Sequence, residues 1–331
     1  MRTNDQNNKK RFKLFDMNRD GKGVYEHETR KPTLAFFFKL YFRKFSQLLQ
    51  LNLLMLFMVI PVIAVIFMFL LGNKTNVATD TLFAPLYGLN ISTSSLPNIT
   101  SLLDISSIQM DIPALKPAMN VAIILLGIFL ALTWGWQNTG AAYVLRGLFR
   151  GDAVFVFSDY FYAIKKNFKQ AFVLGLIDFA CLAVLIVDFM YFSGVGGSFG
   201  LDFMYFATLA LIIIYTIMRF YIYNLLVTFD IKNFKLLKNA LIFTILGIKR
   251  NLMAMLGIVL LLALHVALLV IFIPIGISIP LILPFVYIMA TLSFITTYAA
   301  YPVIEKYMIT PYQEESANAD PEIDDGSEND E

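Results

Sequence analysis

Apolar residues gather into six stretches, roughly 47–71, 118–138, 170–192, 203–228, 252–273 and 277–303. Each is near the ~20 residues that cross ~30 Å of hydrocarbon at about 1.5 Å per residue. Hydrocarbon offers backbone N–H and C=O groups no partner, so the stretches are predicted as helices; the alternation of a membrane barrel is absent. The expected fold is all-α, a polytopic transmembrane helical bundle of six spans. Its parts are a basic N-terminal arm (1–32), the membrane domain (33–304) and an acidic tail (305–331), which is expected to be disordered.

Between the spans the polar positions carry a second pattern. Phe157, Tyr160, Phe161, Ile164 and Phe168 recur at helical spacing, with Ser158, Asp159, Lys165 and Lys166 off that face. That is an amphipathic helix lying along a membrane surface. Phe234, Leu237, Leu241, Ile245 and Ile248 repeat the pattern before the fifth span, and Phe37, Leu40, Tyr41, Phe45 and Leu48 do so before the first. The motif Ile164-Lys165-Lys166-Asn167-Phe168 also aligns with Ile248-Lys249-Arg250-Asn251-Leu252. The expectation is three consecutive copies of one unit: surface helix, basic anchor, outward span, inward span. The alternative, that any basic-flanked membrane helix has this pattern, stays open.

Charge then gives orientation. Lys and Arg number twelve in 1–45, two in 72–117, five in 141–170, none in 193–202, five in 229–251, none in 274–280 and one in 304–331. The rich and poor segments alternate, which by the positive-inside rule puts both termini in the cytoplasm of a multi-pass cell-membrane protein. The long polar start does not read as a signal peptide, so the first span is expected to be retained. With 58% hydrophobic residues and a net charge of +2, a role driven by general attraction to nucleic acid is excluded.

Few residues inside the spans can carry chemistry. Cys181 is the single cysteine, which excludes an internal disulfide and a cysteine-based zinc site. His27 and His265 have no carboxylate cluster at ligand spacing, so no metal and no cofactor is expected. Arg219 is a charge deep in a span, where it costs about 2.5–3.5 kcal/mol unless paired or hydrated. Asp178 lies at matching depth on the preceding span, and an Asp178–Arg219 pair with a structural role is preferred to a proton relay or a substrate counter-ion. Asp188 and Asp202 read as interfacial groups. His265 reads as a neutral imidazole hydrogen-bonded to a neighbouring helix.

Gly127, Ala131, Gly135 and Thr139 form a small-residue stripe suited to close helix packing. Beside it, Trp134-Gly135-Trp136-Gln137-Asn138-Thr139-Gly140 interrupts the apolar run, and Asn138 or Thr139 could cap a new helix. A break there would make Trp134, Trp136 and Asn138 a candidate cavity or partner surface, although an interfacial aromatic belt explains the tryptophans as well.

Other motifs fail. Asp16-Met17-Asn18-Arg19-Asp20-Gly21 begins like an EF-hand loop, but position twelve is His27. Gly194-Val195-Gly196-Gly197-Ser198-Phe199-Gly200 superficially fits a dinucleotide fingerprint without the βαβ frame. The N-x-S/T triplets at Asn73, Asn90 and Asn98 follow from a loop rich in Ser, Thr and Asn.

Two stretches carry a family resemblance. One has Gly140-Ala141-Ala142-Tyr143-Val144-Leu145-Arg146, then Phe157-Ser158-Asp159-Tyr160-Phe161 and Lys166-Asn167-Phe168-Lys169-Gln170-Ala171; the other has Gly21-Lys22-Gly23-Val24 with Leu51-Asn52-Leu53-Leu54 and Pro61. The chain resembles the YesL-like family of bacterial integral membrane proteins, a domain of unknown function, over most of 20–305. The loop 72–117 and the acidic tail depart from that family's pattern. The resemblance implies a setting beside sugar-uptake ABC transporters in Gram-positive bacteria, and no established catalytic residues. The expected function is an accessory or regulatory membrane protein associated with the permease subunits of a carbohydrate ABC transporter, without catalysis of its own. The alternatives are a small-solute transporter using the broken second span and Arg219, and a membrane-embedded enzyme.

Overall fold

The computed structural model describes residues 32–72, 74–77, 112–194, 198–277 and 279–313. The calcium-like motif with His27, the triplet asparagines Asn73, Asn90 and Asn98, residues 195–197 of the glycine-rich turn and the tail from Glu314 lie outside the described residues.

In chain order the elements are α1 (Leu34–Arg43), α2 (Phe45–Leu71), the strands β1 (Lys74–Val77) and β2 (Ile112–Leu115), α3 (Pro117–Arg150), α4 (Val156–Lys166), α5 (Phe168–Gly194), α6 (Phe199–Thr228), α7 (Asn233–Leu246), α8 (Ile248–Phe272), α9 (Ile279–Leu283), a π-type turn (Pro284–Ile288), α10 (Met289–Ile304) and a second π-type turn (Glu305–Ile309). The fold is a helical membrane bundle. Four helices, α3, α5, α6 and α8, and the last continuous helical stretch, Pro284–Gln313, are each long and apolar enough to cross a bilayer. α2 makes a sixth span if its two halves, Phe45–Phe57 and Val59–Leu71, count as one; they are bent by 52°. Pro61 explains the position of the bend, since proline lacks an N–H and its ring clashes with the carbonyl four residues earlier, here Phe57.

Three details depart from the sequence reading. The loop between the first two spans closes at its base in an antiparallel ladder that pairs Lys74 with Leu115 and Val77 with Ile112. The last span runs past 304 into residues expected to belong to the tail, remaining helical to Gln313. The second span has no break: α3 is one helix of 34 residues. Its polar residues bond back along their own helix, Asn138 Nδ2 to the Trp134 carbonyl at 2.8 Å and Thr139 Oγ1 to that of Gly135 at 2.7 Å, so neither caps a new one. Gly151 ends α3 in the left-handed region at φ 79°, where a residue without Cβ is unstrained.

Each surface helix meets its span through a single residue. Lys44 (φ −103°, ψ 11°), Asn167 (φ −107°, ψ 21°) and Gly247 (φ −90°, ψ 13°) share the bridge-region backbone. Hydrogen bonding continues through all three: each joint N–H reaches four residues back, to Leu40, Ala163 and Phe243, and each joint carbonyl accepts from four residues on, Leu48, Ala171 and Asn251. The sequence alignment of Asn167 with Asn251 is therefore one helical turn out of register, because the residue matching Asn167 at the joint is Gly247. Glycine is needed there, since a Cβ would overlap the Tyr221 hydroxyl.

The buried core lies at the end that carries the surface helices. One cluster joins α6, α7 and α10 around Tyr221, Leu225, Leu236 and Ile304; another joins α1 to α4 and α10 around Leu40, Leu51, Leu145 and Phe294. The last span is the axis, with 61% of its apolar window buried against 6% for α8. α4 docks on α3 where Tyr160 covers Gly140, whose Cβ would come 2.7 Å from the ring, and that burial pushes the Tyr160 phenol well above its ordinary range.

Candidate functional site

α3 and α5 cross with backbones in contact. A Cβ on Gly135 would lie 2.8 Å from Gly175 Cα, and one on Gly175 would overlap Gly135. Small residues at a crossing let helix axes approach closely. Trp134 then sits one residue from the crossing and Asp178 one turn beyond it. The indole Nε1 donates to Asp178 Oδ2 at 2.8 Å.

α6 supplies the other donors from one stripe at i, i+4 and i+8. Tyr215 donates to Oδ1 at 2.8 Å, Arg219 Nε to Oδ1 at 2.9 Å and Oδ2 at 3.1 Å, and Tyr223 to Oδ2 at 2.7 Å. The Arg219 guanidinium also lies over the Trp134 ring, 5.3 Å from its centroid. Asp178 is 1% exposed, and the Arg219 side chain 25%. Three helices thus converge on one carboxylate, and both its oxygens are engaged. A substrate or a proton carrier would have to displace a donor to reach it.

The depth-matched pair Asp178–Arg219 is therefore brought together, and Trp134 joins it as a donor to the carboxylate rather than as the wall of a cavity. Trp136 stacks on Phe168 (4.5 Å between centroids) and donates to the Phe168 carbonyl at 2.9 Å, fixing α3 against the start of α5. Asn138 bonds within its own helix. Of the stripe, Gly135 makes the crossing, Ala131 is half-buried, and a Cβ on Gly127 would meet nothing within 4 Å, so Gly127 packs no helix among the described residues. His265 is 6% exposed, and neither ring nitrogen has a hydrogen-bond partner among the described residues, contrary to the expected bond. Two hydroxyls on the last span bond within their own helix, Thr291 to the Tyr287 carbonyl and Thr296 to that of Ser293, whereas Tyr298 donates to the Thr33 carbonyl at 2.6 Å. Asp202 sits in the first turn of α6 behind the Ser198 cap, and Asp188 is half-buried near the end of α5. Among the described residues no three His, Cys, Asp or Glu side chains cluster to hold a metal.

Sequence reasoning missed Tyr215 and Tyr223, though their spacing from Arg219 was a usable signal. It also missed two buried asparagines. Asn52, 0% exposed, donates to the Phe285 carbonyl at 2.6 Å and accepts from Ala290 N–H at 2.9 Å, satisfying backbone groups that the π-type turn frees. Asn251 accepts from the Tyr221 hydroxyl at 2.6 Å and donates to the Thr244 carbonyl at 3.0 Å. Arg146 Nη1 donates to the Val227 carbonyl, closing the end of α6.

Residues 117–189 match the model of the DUF624 family, described as a protein of unknown function. The matched stretch runs from α3 through α4 into α5, so it holds Trp134, the Gly135–Gly175 crossing and Asp178 but none of the α6 donors. No curated protein and no solved structure matches the chain.

Proposed function

We propose that the protein is a YesL-like accessory or regulatory component of the bacterial cell membrane, with both termini cytoplasmic, that associates with permease subunits of a carbohydrate ABC transporter and carries out no chemistry of its own. The observation that carries this reading is the saturated carboxylate. Asp178 is enclosed by Trp134, Tyr215, Arg219 and Tyr223 next to a glycine–glycine crossing, an arrangement suited to fixing three spans. The transporter alternative leaned on a broken second span, and α3 is continuous. The ABC partner rests on the family resemblance, and the cytoplasmic termini on the distribution of Lys and Arg.

The test is affinity purification of the tagged full chain from its native membrane, paired with solute uptake by the purified protein in liposomes. Co-purified ABC permease subunits without uptake support the proposal. Sugar uptake by the protein alone would replace it with the transporter reading, and turnover of a solute with the enzyme reading.

A further inference from the structure

Past two of the three joints between a short helix and its span, a glutamine three residues on closes a seam to the segment ahead of another short helix. Gln47 donates to the Val154 carbonyl at 3.1 Å, two residues ahead of α4. Gln170 donates to the Ile231 carbonyl at 2.6 Å, two residues ahead of α7. At the third joint, Gly247, the corresponding position is Arg250, and the segment two residues ahead of α1 is Pro32. Among the described residues no hydrogen bond joins Arg250 to Pro32. Both line an open groove of about 640 Å³ between α1 and α8, floored by α10.

The groove has a polarity. Lys249 and Arg250 stand at the end where the surface helices lie, and among the described residues they are the only charged ones in its lining. Below them the wall is apolar, from Phe38 and Phe42 on α1 to Met253 and Leu264 on α8. From Lys249 to Leu264 the helix rises about 22 Å at ~1.5 Å per residue. That is about half of the ~40–45 Å bilayer including headgroups, the depth of one leaflet. Gly257 keeps the middle open, since the nearest atom to a Cβ there is Ile295 Cγ2 at 3.6 Å.

We propose that this groove is a binding site for an anionic membrane phospholipid, its headgroup on Lys249 and Arg250 and an acyl chain along the wall toward Leu264. Two cations above an apolar channel one leaflet deep match that chemistry, and the lipid completes the third seam where the other two use glutamine. A soluble acidic segment would satisfy the cations and leave the apolar channel unfilled.

The test is native mass spectrometry of the full-length protein in mild detergent, titrated with dioleoyl phosphatidylglycerol and with dioleoyl phosphatidylcholine. The expected result is one phosphatidylglycerol bound roughly tenfold or more tighter than phosphatidylcholine, as two basic side chains at a lipid surface should give. Lys249→Gln with Arg250→Gln abolishes the preference, and Gly257→Leu weakens both lipids. Lys235→Gln with Lys238→Gln, on α7 and outside the groove, leaves the preference intact. Circular dichroism and elution volume establish that each variant folds. Equal binding of both lipids by the unmodified protein, or loss of the preference in the α7 variant, overturns the proposal. So does disulfide-linked dimer from a Gly257→Cys, Cys181→Ala variant in membranes, which would put a second copy in the groove.

Discussion

Gly135 and Gly175 face each other without intervening side chains, and that single contact sets the distance from Trp134 to Asp178. Enlarging either residue must separate α3 from α5. Gly175→Leu is expected to lower stability by at least the ~1–3 kcal/mol typical of overpacking, and to lower the melting temperature in detergent. Gly127→Leu is the control, expected to be nearly neutral because space surrounds that Cα.

The ion pair gives an unequal double-mutant cycle. Arg219→Gln leaves a carboxylate that is 1% exposed with three neutral donors, whereas Asp178→Asn leaves a guanidinium that is 25% exposed and can reach water. Removing one partner of a buried pair costs about 3–5 kcal/mol, so Arg219→Gln should approach that range and Asp178→Asn fall below it. The double variant should cost less than the sum, read from membrane abundance and thermal unfolding. Simple additivity would mean that the two residues do not interact.

The tyrosines of α6 offer a finer measurement. Hydrogen bonds to a charged group contribute about 1.5–3 kcal/mol each, so Tyr215→Phe and Tyr223→Phe should each destabilise within that range. Tyr223→Phe should be the more severe, its hydroxyl being closer (2.7 Å) on a side chain that is 5% exposed. Equal melting temperatures for both variants and the unmodified protein would refute the four-donor arrangement.

At the third joint, Gly247→Ala sets a methyl against the Tyr221 hydroxyl. The substitution is expected to destabilise by about 1–3 kcal/mol. In a Tyr221→Phe background the further loss should be smaller, because the obstructing oxygen has gone. A cycle without that relief would locate the strain in the backbone instead.

The topology is tested with cysteines in a Cys181→Ala background. Residues in 72–117, 193–202 and 274–280 should react with an impermeant thiol reagent added to intact cells, and residues in 1–30 or 314–331 should not. Labelling at either terminus would overturn the orientation read from Lys and Arg.

What the sequence made legible was whatever depends on composition along one helix. The apolar runs, the short helices before spans one, three and five, and the matched depths of Asp178 and Arg219 are of that kind. The failures depend on where a hydrogen bond closes. Asn138 and Thr139 have side chains that cap a helix or bond back within one, and the residue types are the same in both cases. Asn167 and Asn251 share flanking residues, yet one is a joint and the other lies a turn beyond, because Tyr221 requires glycine at the joint. The bend in α2 was available from Pro61 and its effect four residues upstream.

The concentration of buried residues at one end leaves the opposite half of most spans with few protein neighbours: Ile124 and Leu125 of α3, Val184 and Val187 of α5, Phe203 and Phe206 of α6, and Val270 of α8 all stand exposed. Those ends can tilt without disturbing Asp178 or the joints. Bilayers of different thickness are met by such tilting at modest cost, fractions of a kcal/mol per Å of mismatch. The far leaflet can therefore thin or thicken while the packed half keeps its register, and the molecule's tolerance of membrane thickness is a property of the half that is least specified.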